Sequence, residues 1–364
     1  MKEDFHRKRR NRLATELRKE KLPALLLLNS RNIFYLTGFR GEDSALLVTG
    51  EEAILLTDSR YDEQAASETR GVRIVVRKLG LMRTAAEIAR KAALPELGLE
   101  AGAITLAQAE ELHRWTGTME TKPGAGLVER LRVCKDAAEM AAIRRAIEIA
   151  EEAFRRTVAH LAPGRTELEM ARFLARTMED LGAEGPSFPT IVAAAERASM
   201  PHAVPTDRII RKGDPVLFDW GARWGGYCCD LTRMAYVARI PRISGRLHEL
   251  TRTAQQKALA GIAPGRKAAD IDNIARAWLK AHRHGKHFGH GLGHGVGLDI
   301  HEGPVLSRKQ ETILRPGMVV TVEPGIYLPR KAGVRIEDMA LVTRAGRERL
   351  TSLPSLPESF LVKP

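Results

Sequence analysis

Short apolar runs separated by turn residues set the pattern of the first third of the chain. Residues 24–28, 45–48, 53–57, 72–76 and 97–99 are β-prone, and residues 84–93 between them have a helical period. Residues 1–20 predict a charged amphipathic helix, with Leu13 and Leu17 four apart on one face. Strands alternating with helices predict an α/β domain over residues 1–134. Residues 32–39 read as packing followed by a glycine turn. The texture changes near residues 133–135. Residues 136–160 form a long helical pattern in which Met140, Ile143, Ile147 and Phe154 trace one stripe. Pro163-Gly164 ends it, and Thr166 with Glu169 predicts a capping box opening the next helix.

The second region, residues 135–364, repeats itself. Ala162-Pro163-Gly164-Arg165 recurs as Ala263-Pro264-Gly265-Arg266, each ahead of an amphipathic helix. Gly213-Asp214-Pro215-Val216-Leu217-Phe218-Asp219 resembles Gly317-Met318-Val319-Val320-Thr321-Val322-Glu323. Asp230-Leu231-Thr232-Arg233-Met234 resembles Glu337-Asp338-Met339-Ala340-Leu341, and His202 has a counterpart in His301. The matches keep their order while the spacing drifts slowly upward, as small loop insertions produce. Each half reads helix–helix–strand–strand–strand. Two such halves about a pseudo-twofold axis bring their acids together at the centre.

Composition removes several alternatives. The 364 residues suit roughly two domains of ~100–200 residues each. With 44% apolar and 28% charged residues, the chain is ordinary globular material and not a disordered or fibrous one. No apolar run approaches the ~20 residues of a membrane helix, and the charged start leads into no signal-like segment. The expectation is therefore a cytoplasmic protein. Three cysteines, with Cys228 and Cys229 adjacent, make no C-x-x-C pair and read as reduced thiols. The net charge of +13 raises nucleic acid as a partner. Its densest cluster is only His6 to Arg12, and aromatics for stacking are 5%. A solvated basic N-terminus is the preferred reading.

The candidate chemistry lies in the duplicated acids. Asp219 follows the apolar run Val216-Leu217-Phe218, and Asp230 stands across a Gly225-Gly226 turn in what reads as a partner strand. Glu323 follows Val319-Val320-Thr321-Val322, and Glu337 follows Val334-Arg335-Ile336. Carboxylates that interrupt buried strands are costly unless paired or bound to a cation. Four of them in one frame repel each other, and hard divalent cations resolve the conflict. Between the halves runs Phe288-Gly289-His290-Gly291-Leu292-Gly293-His294-Gly295-Val296-Gly297, whose alternating glycines fit neither a dinucleotide fingerprint nor a P-loop. They suggest backbone pressed close to a neighbour while imidazoles reach inward. His282, His284 and His287 just upstream read as loop residues, since no cysteine or acid accompanies them.

With these residues in place, the region 135–364 resembles the pita-bread catalytic domain of the Xaa-Pro aminopeptidase and prolidase family of metallopeptidases. Residues 1–134, including Tyr35-Leu36-Thr37-Gly38-Phe39, resemble the creatinase-type N-terminal domain. The motifs are Asp219-x-Gly221, Asp230-Leu231-Thr232-Arg233, Gly293-His294-Gly295-Val296-Gly297-Leu298, His301-Glu302, Glu323-Pro324-Gly325 and Arg335-Ile336-Glu337-Asp338. The resemblance implies an α/β N-terminal domain followed by a duplicated, pseudo-twofold α+β pita-bread domain. It implies that Asp219, Asp230, His294, Glu323 and Glu337 bind two divalent ions, with Asp230 and Glu337 shared between them. Manganese is the first expectation, ahead of cobalt, zinc or iron. His202, His290 and His301 match histidines of the substrate pocket, and Arg335 a basic residue that orients the carboxylates. A homodimer acting on proline-containing peptides is also implied. Trp220 and Cys229 are mild departures that replace no ligand.

Two ions roughly 3.5–4 Å apart share a water, lower its pKa and polarise the scissile carbonyl. Glu323 is the candidate for moving the proton to the leaving nitrogen, with His202 and His301 as donors to the developing oxyanion. The leading expectation is an Xaa-Pro aminopeptidase. The rival is a dipeptide-restricted prolidase, some of which carry an arginine after the His-Glu pair where this chain has Val305; Arg330 or Arg335 are the alternatives for that role. Methionine aminopeptidase and a non-catalytic binding module, with nucleic acid as its partner, stand further off, and creatinase lacks the metal ligands kept here.

Overall fold

In the computed structural model, which describes residues 4–124 and 126–363, the chain opens with α1 (Phe5–Lys19). The first residues of the expected helix, 1–3, lie outside the described ones. The described chain divides into two units between Arg132 and Val133. Leu13 and Leu17 of α1 are buried as their spacing predicts. The basic cluster on the same helix is not simply solvated. Arg9 and Arg10 are only 3% and 8% exposed.

The first unit is built on a mixed six-stranded sheet. Its strands are β1 (Ala24–Leu27), β2 (Ala45–Thr49), β3 (Ala53–Thr57), β4 (Arg73–Val76), β5 (Glu96–Leu99) and β6 (Glu120–Pro123). They run in the order β4-β3-β2-β1-β5-β6, antiparallel through β1, β2 and β3 and parallel toward both edges. The helices are α2 (Ser30–Thr37), α3 (Asp62–Glu68), α4 (Leu81–Lys91), α5 (Leu106–Thr116) and α6 (Leu127–Arg132). Residues 32–39, expected to be packing and a turn, are mostly α2. Asn29 caps its start, and Gly38 ends it at φ 85°. The basic residues of α1 close its other end. Arg9 donates to Tyr35 O at 3.0 Å and Arg10 to Leu36 O at 2.7 Å, supplying carbonyls that a helix terminus leaves without partners. Asn32 of α2 is fully buried because it donates to Glu100 and Glu129 and accepts from Arg132.

The second unit opens with α7 (Ala137–His160) and α8 (Glu167–Asp180). Thr166 and Glu169 form the predicted capping box, and Asp136 with Glu139 forms another at α7. Strands β7 (Gly185–Pro186), β8 (Ile191–Ala194), β9 (Pro215–Trp220), β10 (Ala222–Trp224), β11 (Tyr227–Cys228) and β12 (Leu231–Val237) follow. The pattern then restarts with α9 (Arg242–Gly261) and α10 (Ala268–Ala281). These lead into β13 (Gly293–Gly295), β14 (Glu302–Leu306), β15 (Val319–Val322), β16 (Gly325–Leu328), β17 (Ala332–Arg335), β18 (Asp338–Thr343), β19 (Gly346–Arg349) and β20 (Leu361–Val362). The larger sheets have the orders β20-β12-β9-β8 and β14-β13-β15-β18-β19. The duplication reaches down to single hydrogen bonds. Gly164 N–H donates to Ile210 O at 2.9 Å, and Gly265 N–H donates to Leu314 O at 2.8 Å. Ile210 and Leu314 return bonds to Arg165 and Arg266 at 2.7 and 2.8 Å. Among the described residues no helix is long and apolar enough to cross a membrane.

Candidate metal centre

The four duplicated acids sit where buried strands end. Asp219 is the penultimate residue of β9, a strand buried along its whole length, and pairs with Thr232 of β12 and Ile191 of β8. Trp220 anchors that strand by donating to Ala150 O at 2.9 Å and stacking on Phe154 of α7 at 4.2 Å, which accounts for its bulk. Asp230 follows the β10–β11 hairpin, whose Gly225-Gly226 turn holds φ of 59° and 82°. Glu323 directly follows β15 and donates its N–H to Leu292 O at 2.8 Å. Glu337 lies between β17 and β18. Its N–H donates to Thr232 O at 3.2 Å, and its carboxylate accepts from the Thr232 hydroxyl at 2.7 Å.

His294 arrives on β13, between Gly293 and Gly295. A Cβ on Gly293 would stand 2.1 Å from Thr321 O, and one on Gly295 2.1 Å from Gly303 O. The close neighbours of the glycine run are therefore the strands on either side, which grip β13 and aim the imidazole. On the helix behind, Arg276 donates twice to Asp272 at 2.7 Å and also to Phe288 O and His290 O. Asp272 accepts from Leu292 N–H at 3.1 Å. Sequence reasoning missed this clamp, because an acid and an arginine four apart on a helix carry no signal of the loop carbonyls and amide they also hold.

The atoms that converge are nearly all acceptors. Ligand atoms of Asp230, His294 and Glu337 lie within 4.8 Å of one another. His294 Nδ1 faces Gly295 O at 3.1 Å, a pure acceptor, which assigns the ring proton to Nδ1. Its Nε2 lone pair then faces Asp230 and Glu323 carboxylate oxygens, each at 3.5 Å. Asp219 Oδ1 and Glu337 Oε1 are buried without a hydrogen-bond partner. Burial first, then the charges of Glu337, Asp219 and Glu323, push the Asp230 carboxyl well above its usual range. Glu337 is raised likewise, by burial and then by Glu323 and Asp219. Burial pushes Glu323 up to about 8 against the pull of Arg335. Burial, with His301 beside it, lowers His294 to about 4 and keeps it neutral. Carboxylates and a neutral imidazole facing one another with orphaned oxygens suit a hard divalent cation.

Arg335 organises the margin. It donates to Asp219, to Tyr327 Oη at 2.8 Å, to Pro201 O at 3.2 Å and to Thr232 Oγ1 at 3.2 Å. Tyr327 and Thr232 were not foreseen as parts of the site, because a tyrosine or threonine in a strand carries no signal of its partner. His290 is placed on the cavity, but both ring nitrogens are engaged. Nδ1 meets Gly291 O at 2.8 Å and Nε2 meets Tyr327 Oη at 3.0 Å. These bonds fix the ring at the cavity wall.

The four acids, His290, His294 and Arg335 line a cavity of about 600 Å³ together with His202, His301, Phe188 and Val305. His202 and His301, the duplicated pair, are both exposed to it. The upstream histidines stay apart. His284 and His287 face each other at 3.2 Å, and His282 bonds Trp278 O. All three cysteines are free.

Comparison with known proteins places this geometry. The model of metallopeptidase family M24 matches residues 141–344, and that of the creatinase/prolidase N-terminal domain matches residues 9–134. An Xaa-Pro dipeptidase of Pyrococcus furiosus is 36% identical over 88% of this chain and 90% of its own. The structure of an Xaa-Pro dipeptidase from Bacillus anthracis superposes with a TM-score of 0.94 at 34% identity, covering 98% of this chain and all of that one. An X-Pro aminopeptidase from Thermotoga maritima gives 0.88 at 34% identity, covering 95% and 100%.

Proposed function

The chain belongs to metallopeptidase family M24, with a creatinase/prolidase N-terminal domain, and from that premise we propose that it is an Xaa-Pro aminopeptidase. The family binds divalent metal ions. The observation that carries the assignment here is the convergence of the His294 Nε2 lone pair with the carboxyl groups of Asp230 and Glu323, each at 3.5 Å. Asp219, Asp230, His294, Glu323 and Glu337 would hold two such ions, manganese first. Bound there, the metal supplies a water of lowered pKa and polarises the scissile carbonyl.

The chain's own residues do the rest. Glu323, with 17% of its side chain open to the cavity, takes the proton of the attacking water on its carboxylate and returns it to the proline nitrogen. His202 and His301 donate to the carbonyl oxygen as it gains charge. Arg335 keeps Asp219 in place and is not available to substrate, because Asp219, Tyr327, Pro201 and Thr232 occupy it. The cavity walls of Phe188, Pro189 and Val305 suit the proline ring and exclude water.

The same saturation of Arg335 favours aminopeptidase over dipeptidase. It is the one guanidinium among the described residues lining the cavity, and Val305 is 41% exposed there. A dipeptide's carboxylate thus meets no free arginine. The second reading, an Xaa-Pro dipeptidase, rests on the names of the Pyrococcus relative and the Bacillus structure. Comparing kcat/KM for Xaa-Pro, Xaa-Pro-amide and Xaa-Pro-Xaa peptides separates them. An aminopeptidase cleaves the amide and the tripeptide at least as well as the dipeptide. Cleavage of the free dipeptide alone would assign the dipeptidase.

A further inference from the structure

The end of α10 in the second repeat carries cations that the matching end of α8 does not. Behind the glycine-rich segment, α10 and the turn after it form a cleft of about 740 Å³ lined by Asn273, Arg276, Lys280, Arg283, Lys286 and Arg308. Arg276 is occupied by Asp272 and two carbonyls. Lys280, Arg283, Lys286 and Arg308 are all exposed, and no carboxylate is among the lining residues. Cations crowded in a concavity repel one another and focus a positive potential into it.

The duplication supplies an internal control. α8 ends in a Schellman turn at Gly182, with Gly182 N–H on Glu179 O and Ala183 N–H on Met178 O. α10 ends in the same turn, with Arg283 N–H on Lys280 O and His284 N–H on Leu279 O. The left-handed position is Gly182 at φ 96° in one half and Arg283 at φ 65° in the other. Glycine is favoured there, and an arginine strains the backbone. Where the first half has Glu179, Gly182 and Gly185, the second has Lys280, Arg283 and Lys286. The fold requires none of these cations, and one of them sits at a strained position.

We infer that this cleft binds a polyphosphate chain, free or as part of a nucleotide. Arginine forks and lysine ammonium groups both recognise phosphate oxygens, and several adjacent phosphates match several unpaired cations. A monoanion would leave most of the charge uncompensated.

The test is calorimetric titration of the metal-loaded enzyme with inorganic tripolyphosphate, adenosine triphosphate and a single-stranded oligonucleotide, in phosphate-free buffer. The comparison protein carries Lys280→Glu and Lys286→Glu, neither of which lies in the peptidase site. Metal extraction by the phosphates is common to both proteins, so only the difference reports the cleft. Tripolyphosphate should bind the native protein, weaken with added salt, and lose roughly tenfold in affinity for each removed contact. Equal binding of tripolyphosphate and the nucleotide assigns the free chain, and tighter nucleotide binding assigns the nucleotide. Arg308→Ser is the second variant should the charge reversal melt early, and it should weaken binding as well. Affinity unchanged in a folded variant, no binding of either phosphate at millimolar concentration, or binding of the oligonucleotide alone would overturn the inference.

Discussion

His294 and His202 owe their different roles to what their nitrogens face. The backbone carbonyl of Gly295 holds the His294 proton on Nδ1 and turns Nε2 toward the acids. His202 instead stands exposed on the cavity wall, opposite in sequence to its duplicate His301 and outside the acid cluster. His202→Ala should therefore retain metal while slowing turnover by ~10²–10³, as the loss of one transition-state donor does. Because His202 is exposed, the melting temperature of the variant should barely move. Normal kcat in the fully metallated variant would refute the assignment. Glu323→Gln should differ in kind, because it removes a charge from the cluster and the group that carries the proton. Elemental analysis and single-turnover rates should show both metal content and chemistry falling. The convergence of the four acids was legible from the chain because they repeat in one frame. The engagement of His290 by Tyr327 was not, since partners that distant in sequence are chosen only by folding.

Among the elements, β13 carries the tightest constraint. Gly293→Ala drives a methyl into Thr321 O, and the strand that must shift also carries His294. The variant should lose on the order of 1–3 kcal/mol, the cost of overpacking, along with part of its metal. Gly289, in the same run, has nothing within 4 Å of its would-be Cβ. Gly289→Ala should stay within about 0.5 kcal/mol, and paired denaturation curves with metal analysis check both. Helix α1 offers the second case. Arg10→Ala strips donors from Leu36 O and Arg70 O and should cost ~1–3 kcal/mol in urea denaturation, whereas exposed Arg12→Ala should cost about 0.5 or less. The strands β1 to β5 and helices α4, α7 and α8 were readable from periodicity and caps. Helix α2 was missed because it is short and one side of its pattern is a buried polar network around Asn32. Strand β6 was missed because it lies at an edge and is largely exposed, with no alternation to read.

At the scale of the molecule, duplication explains why a costly charge cluster exists at all, since each half contributes acids that neither could bury alone. The repeat was legible in four ordered matches, and the structure extends it to hydrogen bonds such as those of Gly164 and Gly265. What the chain could not display is the electrostatic balance between the halves, which depends on burial. Its consequence is a stability that depends on pH and metal together. Burial raises Asp230, Glu337 and Glu323, the last from 4.5 to about 8, and lowers His290 and His294 from 6.5 to about 4. A raised carboxyl binds more protons folded than unfolded, so stability falls as pH climbs from its unfolded value through its folded one. The lowered histidines, these two with His6, His248, His284 and His287, act oppositely, with stability gained as pH climbs through their unfolded value of 6.5 and levelling off above it. Between pH 6.5 and 8 only the carboxyls remain, and the melting temperature of the metal-free protein should drop. Divalent metal requires those carboxylates ionised, so its binding should release protons, and the rise it gives in melting temperature should grow across the same window. Chelation should abolish peptidase activity and readdition restore it, with calorimetry in buffers of different ionisation enthalpy counting the protons. A metal-free melting temperature that stays flat or climbs from pH 6.5 to 8, or metal uptake without proton release, would show that the acids are not held as this packing requires.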